Sequence, residues 1–275
     1  MARLLRRILR RVLSGARRKE LAVRLLGDQF YLLKKDPAFQ RQVDVETLLK
    51  SPPGKRPIQN VLATLPHVMP GYIAADWFWS DSYYPFYVKL AQALSPRSIV
   101  EIGSLQGFSL ISMAEGAPDV RQLVWIDNEM YLPGSNQMCY ENVRYFFGKF
   151  RAGSRLPEMK FYSSSWDALR LRENGPIDLI HIDGEHTFEG KLRDLTICSS
   201  LQPTYMILDD YFNVFNHKAI DYWAKCFRLD FFVIDTFSRG LAVFDFGKKK
   251  KALELVKKCG LPVAKTFSWK NADIV

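Results

Sequence analysis

The chain has only four cysteines in 275 residues, Cys139, Cys198, Cys226 and Cys259, with no C-x-x-C pair and no ligand spacing among them. That scarcity argues against a disulfide framework or a zinc site and for a reducing compartment. Each thiol reads as a small buried hydrophobe. No uncharged apolar run approaches the roughly 18–20 residues that a membrane-spanning helix needs. A G-x-G-x-x-G turn is also missing, which disfavours the phosphate cradle of a nicotinamide-dependent oxidoreductase. Acidic residues are absent from the first nineteen positions. Over residues 1–20, eight Arg and Lys stand against Glu20 alone, a net +7 of the chain's +10. The basic character therefore belongs to one end. No aromatic–basic interleaving accompanies it, so nucleic acid is disfavoured as a partner. What the chain does have is apolar bulk, 48% of residues with 13% aromatic, ample for a packed core, and its length suits one large domain or one domain with an elaboration.

Leu4, Leu5, Ile8, Leu9, Val12 and Leu13 recur on one helical face and arginines fill the other. Three readings stay open for this helix: contact with an anionic membrane surface through residues 1–19, an organelle transit peptide, or ordinary packing on the domain. Ser51-Pro52-Pro53-Gly54 breaks the pattern, which divides the chain into a basic helical extension at 1–60 and a main domain at 61–275. Aromatic residues crowd positions 70–87. They pack a helix at about 82–94 against the sheet, or a few of them, such as Trp79 and Tyr83, wall a pocket.

From 98 onward strand-like and helix-like segments alternate, the pattern of a doubly wound α/β sheet. Ser98–Ile102 runs into Gly103-Ser104-Leu105-Gln106-Gly107 and then a helix at 107–116. A strand, a glycine turn and a helix start present free N–H groups and a positive helix end to a ligand. The second strand, 122–126, ends at Asp127, where a carboxylate can accept hydrogen bonds from both ribose hydroxyls of an adenosine cofactor, with Asn128 and Glu129 as alternates. A helix at about 135–147 follows, then a short strand at 159–162 leading to Ser163-Ser164-Ser165-Trp166-Asp167. Ile177–Ile182 is a fourth strand from whose end Asp183, Glu185 and His186 emerge, ahead of a helix at about 187–200. Tyr205–Leu208 is a fifth, ending in Asp209-Asp210. Parallel neighbours bring Asp183, Asp209 and Asp210 to one rim. Strands at about 231–236 and 240–246 close as a hairpin around Ser238-Arg239-Gly240, and Lys248 to Lys258 is a basic helix with its lysines in solvent.

The E-x-G-x-x-x-G turn, Glu101 to Gly107, resembles motif I of class I S-adenosylmethionine (SAM)-dependent methyltransferases, and Asp127 sits where their second motif ends. The run I-D-G-E-H-T-F-E-G-K-L-R-D-L followed by I-L-D-D-Y resembles the macrocin and cephalosporin-type O-methyltransferases. The likeness spans residues 75–246. It implies a Rossmann-like, seven-stranded sheet with an antiparallel last strand. It implies a cofactor set of Glu101, Gly103, Ser104, Gly107, Asp127, Ser165, Trp166 and Asp183. Asp183, Asp209 and Asp210 would hold a divalent metal such as Mg²⁺. His186, three residues after Asp183, would be the general base, with Asp183 beside it; the alternative for His186 is a local hydrogen bond at the helix start. His181 reads as a satisfied core histidine. The expected function is metal-assisted O-methylation of a hydroxyl on a small molecule or glycan, by a cytoplasmic protein that also lies on the inner face of a membrane if the basic helix touches lipid. A metal-independent N-methyltransferase, or a membrane-surface or partner-binding protein with an inactive methyltransferase fold, are the alternatives. A homo-oligomer is left open.

Overall fold

A computed structural model of the chain describes residues 57–69, 83–164, 170–171, 175–236 and 239–271. The expectations for residues 1–19, Trp79, Ser165 and Trp166 fall outside them. Helix α1 is Ile58–Leu62 and α2 is Tyr83–Leu94. Strand β1 is Ser98–Ile102, followed by α3 (Phe108–Gly116), β2 (Gln122–Ile126), α4 (Ser135–Phe150), β3 (Glu158–Tyr162) and β4 (Leu179–Ile182). Then come α5 (Phe188–Ser200), β5 (Tyr205–Leu208), α6 (Val214–Cys226), β6 (Phe231–Ile234), β7 (Leu241–Asp245), α7 (Ala252–Lys258) and β8 (Val263–Phe267).

The eight strands form one sheet in the order β3-β2-β1-β4-β5-β7-β6-β8. β3 to β5 are parallel, and β7 runs antiparallel between β5 and β6. The α/β sheet with its antiparallel late strand is the expected architecture, with one strand more than the seven expected. That strand, β8, follows the basic helix and pairs antiparallel with β6 at the edge. Among the described residues no helix is long and apolar enough to cross a membrane.

Helices cover both faces, so β1 and β4 are buried along their whole length and β5 from Met206 onward, as parallel strands usually are. Ile99 of β1, Leu179 of β4 and Ile207 of β5 face the layer of α1, α2, α3 and α7. Val100 and Ile102, Ile180 and Ile182, and Met206 and Leu208 face α5 and α6. The same alternation carries polar side chains to the first face near the carboxyl ends, where Glu101 of β1 lies in register with His181 of β4.

Gly103 ends β1 at φ +84°, and a Cβ there would lie 2.1 Å from the carbonyl oxygen of Asp183. Gly107 caps α3 at φ +79°, and a Cβ there would meet the Cys139 sulfur at 2.5 Å. Both glycines are demanded by neighbouring protein as well as by backbone conformation. Gly103→Ala is expected to cost well over about 1 kcal/mol, because the left-handed φ and the Asp183 carbonyl act together. A lower urea midpoint with unchanged slope would register it; a midpoint equal to wild type would refute the packing argument.

Candidate active site

The carboxyl ends of β1, β2, β4 and β5 open into a cavity of about 560 Å³. Its lining includes the turn from Gly103 to Gln106, Asp127 and Asn128, Met130 and Tyr131, Ser163, and the run Asp183 to Thr187 with Asp210 and Arg239. This is the crevice where open parallel sheets bind ligands.

On the turn side, Ser104 is buried with its hydroxyl beside the Cys139 thiol. The N–H groups of Ser104 and Gln106 have no partner among the described residues. Asp127 accepts from Leu105 N–H at 2.8 Å and from Glu129 N–H at 2.7 Å. Each of its oxygens keeps further accepting capacity. These donors and this carboxylate fit a ligand with a carboxylate at one end and hydroxyls further along, as SAM has. Met130 and Tyr131, 67% and 77% exposed, are large apolar side chains at the cavity mouth. Glu101 departs from the expected position: it is fully buried and does not line the cavity.

Glu101 instead begins a buried chain of hydrogen bonds. Its Oε1 accepts from Ser109 at 2.5 Å and meets His181 Nδ1 at 2.7 Å. His181 Nε2 lies 2.7 Å from the Tyr87 hydroxyl, which donates to the Tyr83 hydroxyl at 2.8 Å. Tyr83 donates to Asp209 Oδ2. Four links thus join Glu101 to Asp209. Burial, then the Asp209 charge, raises the Tyr83 phenol well above its ordinary range, so it stays a donor.

On the rim, Asp183, His186 and Asp210 offer ligand atoms that all lie within 4.8 Å of one another. His186 Nδ1 is 3.3 Å from Asp210 Oδ2, and its Nε2 is 3.7 Å from Asp183 Oδ1. Asp209 stands behind this group, fully buried, with Oδ1 accepting the Asp210 N–H at 2.7 Å. Strand alternation points Asp209 inward, and a left-handed φ of +56° at Asp210 turns the next residue out. Burial and the Asp210 charge push Asp209 up to about 6. Burial, then Asp209 and Asp210, raises Asp183 well above the usual carboxylate range. His186 is lowered, by burial first and then by Lys191.

Several members carry little signal in the sequence. Arg239 Nη1 and Nε lie 3.8 Å from Asp209 and Asp210, with the guanidinium over the Tyr83 ring. Asn216 Nδ2 sits 3.5 Å from His186 Nδ1. Lys191 is fully buried, and its ammonium has no partner among the described residues. Tyr87 and Asn216 could have been suspected only as polar groups at helical core positions.

A family profile described as "Methyltransferase domain" matches residues 100–211. No curated protein matches the chain. Among solved structures, "cofactor-bound Rv0187 from MTB" is similar at 22% identity and TM-score 0.50, covering 74% of this chain and 97% of that one. An O-methyltransferase from Bacillus cereus in complex with SAH is similar at 19% identity, TM-score 0.44, over 79% and 96% of the two chains. CalS11, a TDP-rhamnose 3'-O-methyltransferase, is similar at 15% identity, TM-score 0.48, over 75% and 100%. At 22% identity the likeness to the first of these bears on the fold alone. The profile makes residues 100–211 similar to a methyltransferase domain, and the cavity lies at the carboxyl ends of the strands within that stretch.

Tyr87→Phe cuts the buried chain at its middle and leaves His181 Nε2 and the Tyr83 oxygen each short of a partner. The expected loss is about 1–3 kcal/mol of stability, read from urea unfolding. A variant as stable as wild type would mean that the links are not formed.

Proposed function

We propose that the chain transfers the methyl group of SAM to a hydroxyl of a small molecule or glycan. The observation that carries this reading is the sharing of one cavity by the Ser104 and Gln106 N–H groups, which have no partner among the described residues, and the Asp183–His186–Asp210 rim. SAM supplies an electrophilic methyl for a single in-line displacement, which asks the protein for alignment and water exclusion rather than for a covalent nucleophile. Ser104 and the turn N–H groups would hold the donor's carboxylate, Gly103 and Gly107 shape that turn, and Asp127 would hold the ribose. Ser163 reaches the same cavity from beyond β3; Ser165 and Trp166 are proposed for the adenine on sequence grounds.

An alcohol must lose its proton as the methyl arrives, and His186 is suited to accept it. Its lowered pKa keeps the imidazole neutral near pH 7, and it stands between two carboxylates that favour the imidazolium once formed. Asp183 and Asp210 fit a divalent cation. Asp210 Oδ1 is buried without a hydrogen-bond partner, and the carboxylates crowd closely enough to raise Asp183. Mg²⁺ there would orient the acceptor oxygen and stabilise its negative charge. Asp209, turned inward onto Tyr83, is assigned a supporting place rather than a ligand's. The need for rim and base favours O-methylation over N-methylation, which requires only a neutral amine.

Calorimetric titration with S-adenosylhomocysteine tests the cofactor. Wild type is expected to bind at micromolar levels and Asp127→Ala about tenfold or more weakly, because a hydroxyl pair loses a charged acceptor. Repetition with Mg²⁺ and with EDTA tests the rim, and an identical response in both would remove the metal. No binding by wild type would remove the methyltransferase reading. For residues 1–19 we propose contact with an anionic membrane surface, supported by their net charge and amphipathic spacing. The full chain should sediment with anionic vesicles and a chain lacking residues 1–19 should not; equal pelleting would sink this proposal.

A further inference from the structure

We propose that Asn142, which lies outside the cavity, is a positioning residue for SAM binding, and that it does so by strapping residues 63–69 to the cofactor turn. The inference rests on the cavity being the SAM site. Asn142 is a fully buried amide in the middle of α4. Its Oδ1 accepts the His67 N–H at 2.9 Å, and its Nδ2 donates to the His67 carbonyl at 2.8 Å and to the Gln106 carbonyl at 3.0 Å. Both amide protons and the oxygen are used, so the orientation is unique: a flipped amide would face a donor with a donor and two carbonyls with an oxygen. The Met69 N–H reaches Gln106 Oε1 at 3.3 Å, and the His67 ring pairs with Glu141, the neighbour of Asn142.

The consequence for the site follows from the peptide planes of the turn. Leu105 N–H is tied to Asp127, which fixes the plane before residue 105. The plane between Gln106 and Gly107 is tied twice, through the Gln106 carbonyl to Asn142 and through Gly107 N–H to the Ser104 carbonyl at 2.7 Å. Between these two anchored planes lies the Gln106 N–H, one of the donors without a partner among the described residues. Leu105 at φ +45° holds a left-handed conformation that a side chain rarely adopts unless it is tied down, while Gly107 takes its φ of +79° freely. Asn142 is the outer tie, and residues 67–69 share it. None of Asn142, His67 and Met69 lines the cavity, so their effect on a ligand passes through Gln106.

The test uses S-adenosylhomocysteine and the full chain. Asn142→Ala is expected to weaken binding about tenfold through loss of two to three hydrogen bonds, chiefly as faster dissociation in stopped-flow measurements. His67→Ala keeps both backbone bonds to Asn142 and should stay within about twofold of wild type. Val256→Ala, a core truncation on α7 remote from the turn, serves as a control that loses stability without losing affinity. Should Asn142→Ala not fold, hydrogen exchange on wild type decides: S-adenosylhomocysteine should slow exchange of the His67 and Met69 amides although neither touches the cavity. Unchanged exchange at both, or an Asn142→Ala dissociation rate equal to wild type, overturns the inference alone. Wild type that binds no S-adenosylhomocysteine overturns it together with the cofactor reading.

Discussion

The constraint on which the rest of this structure depends is the burial of two carboxylates, Glu101 and Asp209, on one face of a parallel sheet. A buried carboxylate is tolerable only with hydrogen-bond partners close at hand. Here the partners come from strands and helix in turn. Glu101 and His181 are register neighbours on β1 and β4, and α2 lays Tyr87 and Tyr83 across the gap to the end of β5. The T-shaped contacts of Tyr87 with Tyr83 and His181, each with centroids 4.8 Å apart, keep these polar tips inside an otherwise apolar layer. The helix that precedes the sheet therefore does more than cover it: it fixes where the acidic rim begins.

That arrangement explains how much could be read from the chain itself. The central strands are short apolar runs bounded by turns, so β1, β2, β4, β5 and the β6–β7 hairpin were legible to within one or two residues. The helix α6 announces itself only weakly. Asn213 caps it by accepting from the N–H groups of Phe215 and Asn216, and Ala219, Ile220, Trp223 and Ala224 form its buried stripe. Yet it follows the two aspartates closely enough to read as their loop. Strand β8 reads as a tail because its Lys265 and Thr266 are exposed at a sheet edge. Its only full commitment to the core is Phe267, stacked on Phe231 at 4.7 Å.

The site was legible as a set of chain segments and not as a set of directions. Motif spacing brings Glu101 to the cofactor turn, but strand alternation aims its side chain at His181, 80 residues away in sequence. Asp209 and Asp210 look equivalent as letters, and only the pleat and the positive φ at Asp210 part them into a buried support and a rim group. The two motif glycines likewise serve neighbouring protein, the Asp183 carbonyl and the Cys139 sulfur, as much as any ligand. Contacts between residues tens of positions apart leave no local trace, and these decide which side chain does what.

The charges around the rim carry the argument one step further. Asp183, Asp209 and Asp210 face two fixed cations, Arg239 from the hairpin and buried Lys191 from α5, both of which act electrostatically on Asp183. Arg239 stays 3.8 Å from its carboxylates, too far for a hydrogen bond, and so screens them without occupying their oxygens. Three acids and two bases leave one negative charge in a partly buried place, where an uncompensated charge is costly. A proton on Asp209, whose pKa is pushed up to about 6 by burial and the Asp210 charge, relieves that excess. At the exposed edge of the rim stands His186, half open to the cavity and with its pKa lowered first by burial. On the proposed reading this arrangement leaves the acceptor's proton to the exposed imidazole of His186, with the more deeply buried carboxylates Asp183 and Asp210 beside it.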